Sequence, residues 1–552
     1  MFIAEEASQG KRWRLKPRSI SLTKAEPRLW LLLPILVECA MDVRTLMHQA
    51  VMNHGDRECV SHGERRLTFS EAWQRGIRLA NALMAMGLQP GDRVGVLEDN
   101  SIQAADFFHG MAIANLVRVP LYPRNGLQAH KHMLSHTGCK ALMVSQNYLH
   151  EVKDIDQQVE SLERIIVRDD SYEEWLSAQS DELPAISVDP DDNFIIRHTG
   201  GTTGLSKGVA YTHRAWLHAG RDWFYTFPAV EPGDKCLHLG PISHGSGYQY
   251  LPTLLAGGCN VMMDHFDALE TLDIMESEGI GFMFMVPTMA NAIVRDNTAR
   301  GRVFPKLKCL LIAAAPIADA TTLAAREVFG DVLYQGYGQT EVLPVAMMGP
   351  SQWFADVPGS QPLRACGMPL PFAQIQIWDS DNNEVARGEV GEIVAKSDGQ
   401  MVGFWENEQA TAERIIDGWV KTGDMGRMDQ NGYLYVVDRA DDMIISGGYN
   451  IWPMELENVI ADHPEVIEVA VFGVPHEKWG ESPAAVCVVA GEHSLTEQGV
   501  IELCAEKLGS YKKPGIVTFT TEPLPKSPVG KIMRKTLREP YWEGHDRRVS
   551  GS

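Results

Sequence analysis

The residues best suited to chemistry lie in one run, His198-Thr199-Gly200-Gly201-Thr202-Thr203-Gly204-Leu205-Ser206-Lys207-Gly208. Its glycines suit neither helix nor strand, but they let backbone N–H groups turn inward and approach an anion. The threonine and serine hydroxyls add short donors, and Lys207 adds a point charge suited to phosphate. The spacing is not G-x-x-x-x-G-K-[ST], because Gly208 follows Lys207. The run therefore reads as a phosphate loop of another kind. Taken alone it also reads as a flexible turn, and the stretches downstream decide between the two.

Tyr337-Gly338-Gln339-Thr340-Glu341 sets an aromatic face, a hydroxyl and a carboxylate close together. An aromatic can stack on a base, and a carboxylate can hold Mg²⁺. Lys421-Thr422-Gly423-Asp424 offers an acid that can accept from ribose hydroxyls, and Arg439 could do the complementary job. Ser446-Gly447-Gly448-Tyr449 is a second backbone-rich loop, and Lys531 follows Gly530 near the end of the chain. Singly, Glu341 and Asp424 read equally well as turn or salt-bridge residues, and Lys531 as a solvated charge.

The elements around these stretches are those of an α/β protein. The apolar run Phe194-Ile195-Ile196 predicts a strand leading into the glycine-rich loop. Thr68-Phe69-Ser70-Glu71 is a capping box, and the helix after it carries Trp73, Ile77, Ala80, Leu83 and Met84 on one face up to Gly87. Residues 92–97, 116–121, 141–144 and 164–167 continue as strands between helices, which implies largely parallel sheets. Residues 332–333 predict a strand before the Tyr337 stretch. From about Gln374 the pattern alternates with Asn-rich turns and predicts antiparallel β structure. A smaller α+β unit follows the charged run Arg439-Ala440-Asp441-Asp442, with Pro453 starting a helix and Ser494-Leu495-Thr496-Glu497 forming a second capping box. The expected organisation is an extension over 1–40, a large domain over 41–438 and a small one over 439–552.

The 552 residues are too many for one core, and the 44% apolar and 22% charged content is that of a soluble globular protein. A net charge of −22 argues against nucleic acid or an anionic membrane as the main partner. Nine scattered cysteines with no C-x-x-C point to free thiols in the cytoplasm, without disulfides or a zinc site. In the first forty residues, basic residues precede a nine-residue apolar run that contains Pro34, too short to span a bilayer. A disordered extension or an upstream start codon is expected there, with a membrane-associated leader as the alternative.

Together and in this order, the stretches closely resemble the adenylate-forming superfamily of acyl- and aryl-CoA synthetases, adenylation domains and luciferases. The resemblance covers roughly 42–542. It implies a multi-lobed N-terminal domain, with two α/β sheet layers and a β-barrel-like lobe, and a small mobile α+β lid. It implies ATP, Mg²⁺ and coenzyme A, a carboxylic acid substrate, no nucleic acid, no integral membrane segment, and leaves a homodimer open. Thr199, Gly200, Gly201, Thr202, Thr203, Gly204 and Lys207 match the family's phosphate loop, with Ser206 where proline is usual. Ala313-Ala314-Ala315-Pro316 matches the small-residue stretch beside adenine, with Ala314 among the nucleotide contacts. Gln335, Gly336, Tyr337 and Gly338 follow on the adenine side, Tyr337 as the stacking residue. Thr340 and Glu341 match phosphate and Mg²⁺ contacts, with Thr203 as a second metal contact; Asp424 and Arg439 match ribose contacts. Lys531 matches the adenylation lysine and Asp441 the hinge. His244, in Pro241-Ile242-Ser243-His244-Gly245-Ser246-Gly247, matches the histidine between acyl pocket and adenylate, so the catalytic set is Lys531, Thr203, Glu341 and His244.

The resemblance lines the acyl pocket with His244, Gly245, Tyr248, Phe284, Gly336 and Leu343. That lining is apolar and contains no lysine or arginine for a second carboxylate. An apolar fatty or aryl monocarboxylate is expected, with Gly336 leaving the pocket floor open. Trp216, Trp223, Phe224, Tyr225 and Phe227 are assigned to core packing, with a place flanking the pocket as the alternative. Gly447, Gly448 and Tyr449 match the loop that lines a pantetheine tunnel, and Lys478 and Trp479 a segment near the CoA nucleotide. No carrier domain follows Lys531, which favours free CoA as acceptor; a stand-alone enzyme loading a carrier protein is the alternative.

Overall fold

The structure is a computed structural model that describes residues 41–543, except 124, 200–205, 296, 440–441, 447–448 and 527–531, and without the side chains of Asn297 and Asn450. The expected extension over 1–40 lies outside the described residues.

Strand–helix alternation in the first part of the chain builds two mixed sheets. In the seven-stranded sheet, Asn193–Thr199, Val117–Pro120, Arg93–Leu97, Ala141–Ser145 and Arg164–Arg168 lie side by side and parallel. The nine-stranded sheet has a parallel centre in the order Leu333–Gln339, Cys309–Ala313, Phe282–Met285, Lys235–His238, Cys259–Met262 and Glu58–His62. Central strands such as Cys309–Ala313 and Phe282–Met285 are buried along their whole length, which explains their unbroken apolar sequences. The capping box at Thr68 forms as expected. The Thr68 hydroxyl accepts from Glu71 N, the Glu71 carboxylate accepts from Thr68 N, and the helix runs Phe69–Ala85.

The third sheet is antiparallel, built on Ala373–Trp378, Gly391–Ser397, Trp419–Met428 and Leu434–Arg439. Burial alternates along Trp419–Met428, as one covered face requires. The fourth sheet starts at Ile444–Ser446. With the Pro453–Ala461 and Glu497–Leu508 helices it encloses a core that includes Leu456, Val471, Cys487 and Val500. Pro453 occupies the first helical turn, where its missing N–H costs nothing. The second expected capping box does not form. The Glu465 carboxylate takes the Ser494 N–H and hydroxyl and the Leu495 N–H, so Thr496 caps the helix instead, accepting from Gly499 N.

Arg534 ties the end of the third sheet to the fourth. Its guanidinium donates to Asp438 at 3.2 Å, Asp442 at 3.0 Å and Glu457 at 2.5 Å. Burial, opposed by Arg534, leaves the Asp438 carboxyl raised to about 6. Arg295 adds a bond to Val466 O at 2.7 Å. Among the described residues, no helix is long and apolar enough to cross a membrane.

Candidate functional site

The glycine-rich run connects Asn193–Thr199 to Lys207–Thr212, which return antiparallel with Thr199 opposite Lys207. The strand entering it is therefore longer than its apolar centre, and Gly403–Phe404 pairs on the outer side of the returning strand. Gly200, Gly201, Thr202, Thr203 and Gly204 lie outside the described residues, as do Asp441, Gly447, Gly448 and Lys531. Lys207 is exposed, with its ammonium 5.2 Å from the centre of the Phe404 ring. Gly208 is required by packing, since a Cβ there would stand 2.8 Å from Ile196 Cγ2.

The Tyr337 stretch is not a loop after a short strand. The strand runs Leu333–Gln339, and Thr340-Glu341 form the two-residue tip of a hairpin whose Gln339 and Val342 are paired. The Tyr211 hydroxyl, on the strand leaving the glycine-rich loop, donates to Thr340 O at 2.8 Å. That bond holds two distant motifs against each other. Met401 N donates to Glu341 O at 2.9 Å and fixes the other side of the tip.

Asp424 is the hub of the polar groups around Tyr337. It is 7% exposed and accepts from the Tyr337 hydroxyl at 2.7 Å and from the Gln339 amide at 2.6 Å. It faces Arg439 across the ladder, with Arg439 Nε 3.6 Å from its Oδ1. Burial, then the Asp424 charge, raises the Tyr337 hydroxyl far above its ordinary range, so it stays a donor. Arg414 was not anticipated. It ends the Glu408–Arg414 helix, donates to Gln339 Oε1 and Thr422 O at 3.1 Å each, and lies 3.5 Å from Glu341. Nothing in its local sequence marks it, because its partners come from three separate strands and turns.

Gln335 is buried opposite Ile312 in the adjacent strand, and its side-chain oxygen has no partner among the described residues. Ala314 has φ 74°, a left-handed backbone that favours glycine and that alanine adopts only under strain. A Cβ on Gly336 would point at Leu311 and Met347, at 3.3 and 3.6 Å. A Cβ on Gly338 would meet Leu343 at 2.9 Å, which makes those two neighbours.

Gly240, Pro241, His244, Gly245, Ser246, Phe284 and Ala314 line one small cavity of about 30 Å³. Gly245 is needed there, because a Cβ would stand 2.9 Å from the Phe284 ring. The Tyr122 ring packs edge-on against His244 at 5.6 Å, and its hydroxyl donates to His198 O at 2.7 Å, tying this wall to the glycine-rich loop. Trp216 and Trp223 are core residues that also flank Tyr248, at 5.3 and 6.2 Å between ring centres, and Phe227 is buried as well. Phe224 packs partly buried, whereas Tyr225 is 58% exposed. The expectation of no arginine near this lining does not hold. Arg197 is buried, sits 4.2 Å over the Tyr248 ring and donates to Ser243 O at 3.0 Å.

His198, beside Arg197 but on the opposite face, is buried among His132 and His136 with both ring nitrogens unpartnered. Burial, then those two rings, holds its pKa near 3. In the smaller unit, Tyr449 and Trp479 are exposed and the Lys478 ammonium lies 4.5 Å from the Trp479 ring centre.

This fold and arrangement define the class. The AMP-binding enzyme model matches residues 47–405, and the AMP-binding enzyme C-terminal domain matches 455–531. The chain belongs to the AMP-binding enzyme family, within the adenylate-forming superfamily. It is 34% identical over 489 residues to a feruloyl-CoA synthase from an Amycolatopsis species, covering 87% of this chain and 95% of that one. It is 30% identical over 526 residues to the medium/long-chain-fatty-acid–CoA ligase FadD8 of Mycobacterium tuberculosis, covering 91% of each. The ATP-bound crystal structure of MatB from Rhodopseudomonas palustris superposes with a TM-score of 0.83 at 26% identity, covering 92% of this chain and all of that one.

Proposed function

We propose that the chain is an acid–CoA ligase that joins a carboxylic acid to AMP, releasing pyrophosphate, and then passes the acyl group to coenzyme A. The observation that carries this is the Tyr211–Thr340 bond. It holds the Lys207–Thr212 strand, which leaves the glycine-rich run, against the Thr340-Glu341 tip, which supports a site that aligns ATP with an acid. The similarity to CoA ligases supports CoA as acceptor.

The residue types fit such chemistry. A carboxylate is already ionised at neutral pH, so attack on the α-phosphate needs no general base. It needs alignment and neutralisation of charge on the phosphate oxygens. In this reading Thr199, Lys207 and Thr340, with Thr202 and Thr203, bind phosphate, Tyr337 stacks on adenine, and Asp424 and Arg439 hold the ribose. His244 separates acid from nucleotide, and Lys531 meets the reacting phosphate only in the first step. Glu341 suits Mg²⁺, which takes one or two carboxylates plus substrate phosphates; the ion would neutralise phosphate charge. The lid begins near residue 439 and turns about Asp441, exchanging Lys531 for the Gly447-Gly448 loop with Tyr449, Lys478 and Trp479 near CoA. The eight described cysteines are all free, which supports a cytoplasmic setting.

The test is pyrophosphate release with ATP, Mg²⁺ and a panel of fatty, benzoic and cinnamic acids, with and without CoA. Acid-dependent release that turns over steadily only with CoA is expected. Release indifferent to CoA would transfer the acyl group to a carrier protein, and no release with any acid would overturn the reading. Lys531→Ala should abolish release yet still form thioester from supplied acyl-adenylate; equal loss of both steps would remove its assigned role.

A further inference from the structure

Arg197 and Arg118 are both buried, and neither has a carboxylate partner among the described residues. They stand on adjacent parallel strands. Arg118 is level with Ile195, two residues along the strand from Arg197, so the two side chains leave the same face of the sheet. Each guanidinium lies on an aromatic ring, Arg197 on Tyr248 at 4.2 Å and Arg118 on Phe108 at 3.8 Å. Each retains an unbonded Nε–H. Around them the hydroxyls of Ser243 and Tyr250 are likewise buried and unpartnered, and the Tyr248 hydroxyl approaches Thr340 without completing a bond.

Buried charges are ordinarily paired and buried donors ordinarily bonded. Two cations and several hydroxyls left open in one place amount to a site that lacks its acceptor. Burial and the neighbouring Arg197 charge lower Arg118 to about 9. The position says which acceptor fits. Thr199, at the phosphate loop, Arg197 and Ile195 share one face of a strand. At ~3.3 Å per residue, Arg197 lies about 7 Å down the strand from Thr199 and the level of Arg118 about 13 Å. Arg197 also touches Ser243, next to His244 of the cavity wall.

Resting on the ligase reading above, we infer that the acid carries an oxygen acceptor (a hydroxyl, carbonyl or carboxylate) at the end remote from its reacting carboxylate, and that Arg197 and Arg118 receive it. An acid whose carboxylate sits near Thr199 and whose body extends inward past Tyr248 would bring such an oxygen to the pair.

The experiment compares kcat/KM for matched acids that differ only in the far oxygen: cinnamic against 4-hydroxycinnamic acid, and octanoic against 8-hydroxyoctanoic acid. Wild type should favour the oxygen-bearing member of at least one pair by on the order of 10²-fold, and Arg197→Met should cut that ratio roughly tenfold, with Arg197→Lys restoring part of it. Equal use of both members by wild type, or an unchanged ratio in Arg197→Met, would overturn the inference. Thermal shift of the wild-type protein with the same acids needs no variant. Greater stabilisation by the oxygen-bearing acids is expected, and equal shifts count against the pair. If no acid releases pyrophosphate, the ligase reading fails, and the thermal shifts then decide the arginine pair separately.

Discussion

The nucleotide side and the acid side of the cavity differ in how their polar groups are used. On the nucleotide side, Asp424 is bonded by Tyr337 and Gln339, and Arg414 binds Gln339 and reaches Glu341, before any ligand arrives. On the acid side, Arg197, Ser243 and Tyr250 keep buried donors open. A network satisfied internally can hold its shape and fit one ligand, here the proposed nucleotide. Donors left open cost free energy until a ligand completes them, and so they discriminate between ligands.

That contrast breaks first at Asp424. Asp424→Ala removes the acceptor from two donors and the counter-ion from Arg439. Pyrophosphate release per unit ATP should fall by roughly 10²–10³-fold, from bonds to a charged group worth ~1.5–3 kcal/mol each. The KM for the acid should move far less, and a matching rise there would show that the two sides are not separable. Gly245→Ala tests the other side. Its Cβ would press on Phe284, a clash of the kind that costs ~1–3 kcal/mol, so the acid's KM should rise about tenfold with that for ATP little changed. Tyr337→Phe keeps the ring and loses one bond to Asp424. Titrating ATP should reveal an effect of about fivefold, near 1 kcal/mol.

The smallest effect concerns stability rather than turnover. The unfolded chain protonates His198 near its ordinary 6.5, whereas the folded ring resists protonation down to about 3. The depressed value means that its contribution is complete above the unfolded pKa and is lost as pH falls toward the folded one. The slope is at most about 1.4 kcal/mol per pH unit. Urea midpoints should therefore drop less for His198→Gln than for wild type between about pH 7 and about pH 4.5. Identical drops would mean that the buried histidine cluster is not what titrates.

What the sequence determined on its own was local. The Thr68 capping box and the strand leading into the glycine-rich run were legible because each is a short pattern set by near neighbours. The short pattern misled at Ser494, where a carboxylate some thirty residues away captured the capping groups. Only the tertiary structure decided that Arg414 joins Glu341, that Tyr211 holds Thr340, and that Arg118 and Arg197 stand together without a counter-ion. Those pairings come from strand register and sheet packing. Such long-range geometry leaves no periodic trace in the chain, because each partner looks ordinary among its own neighbours.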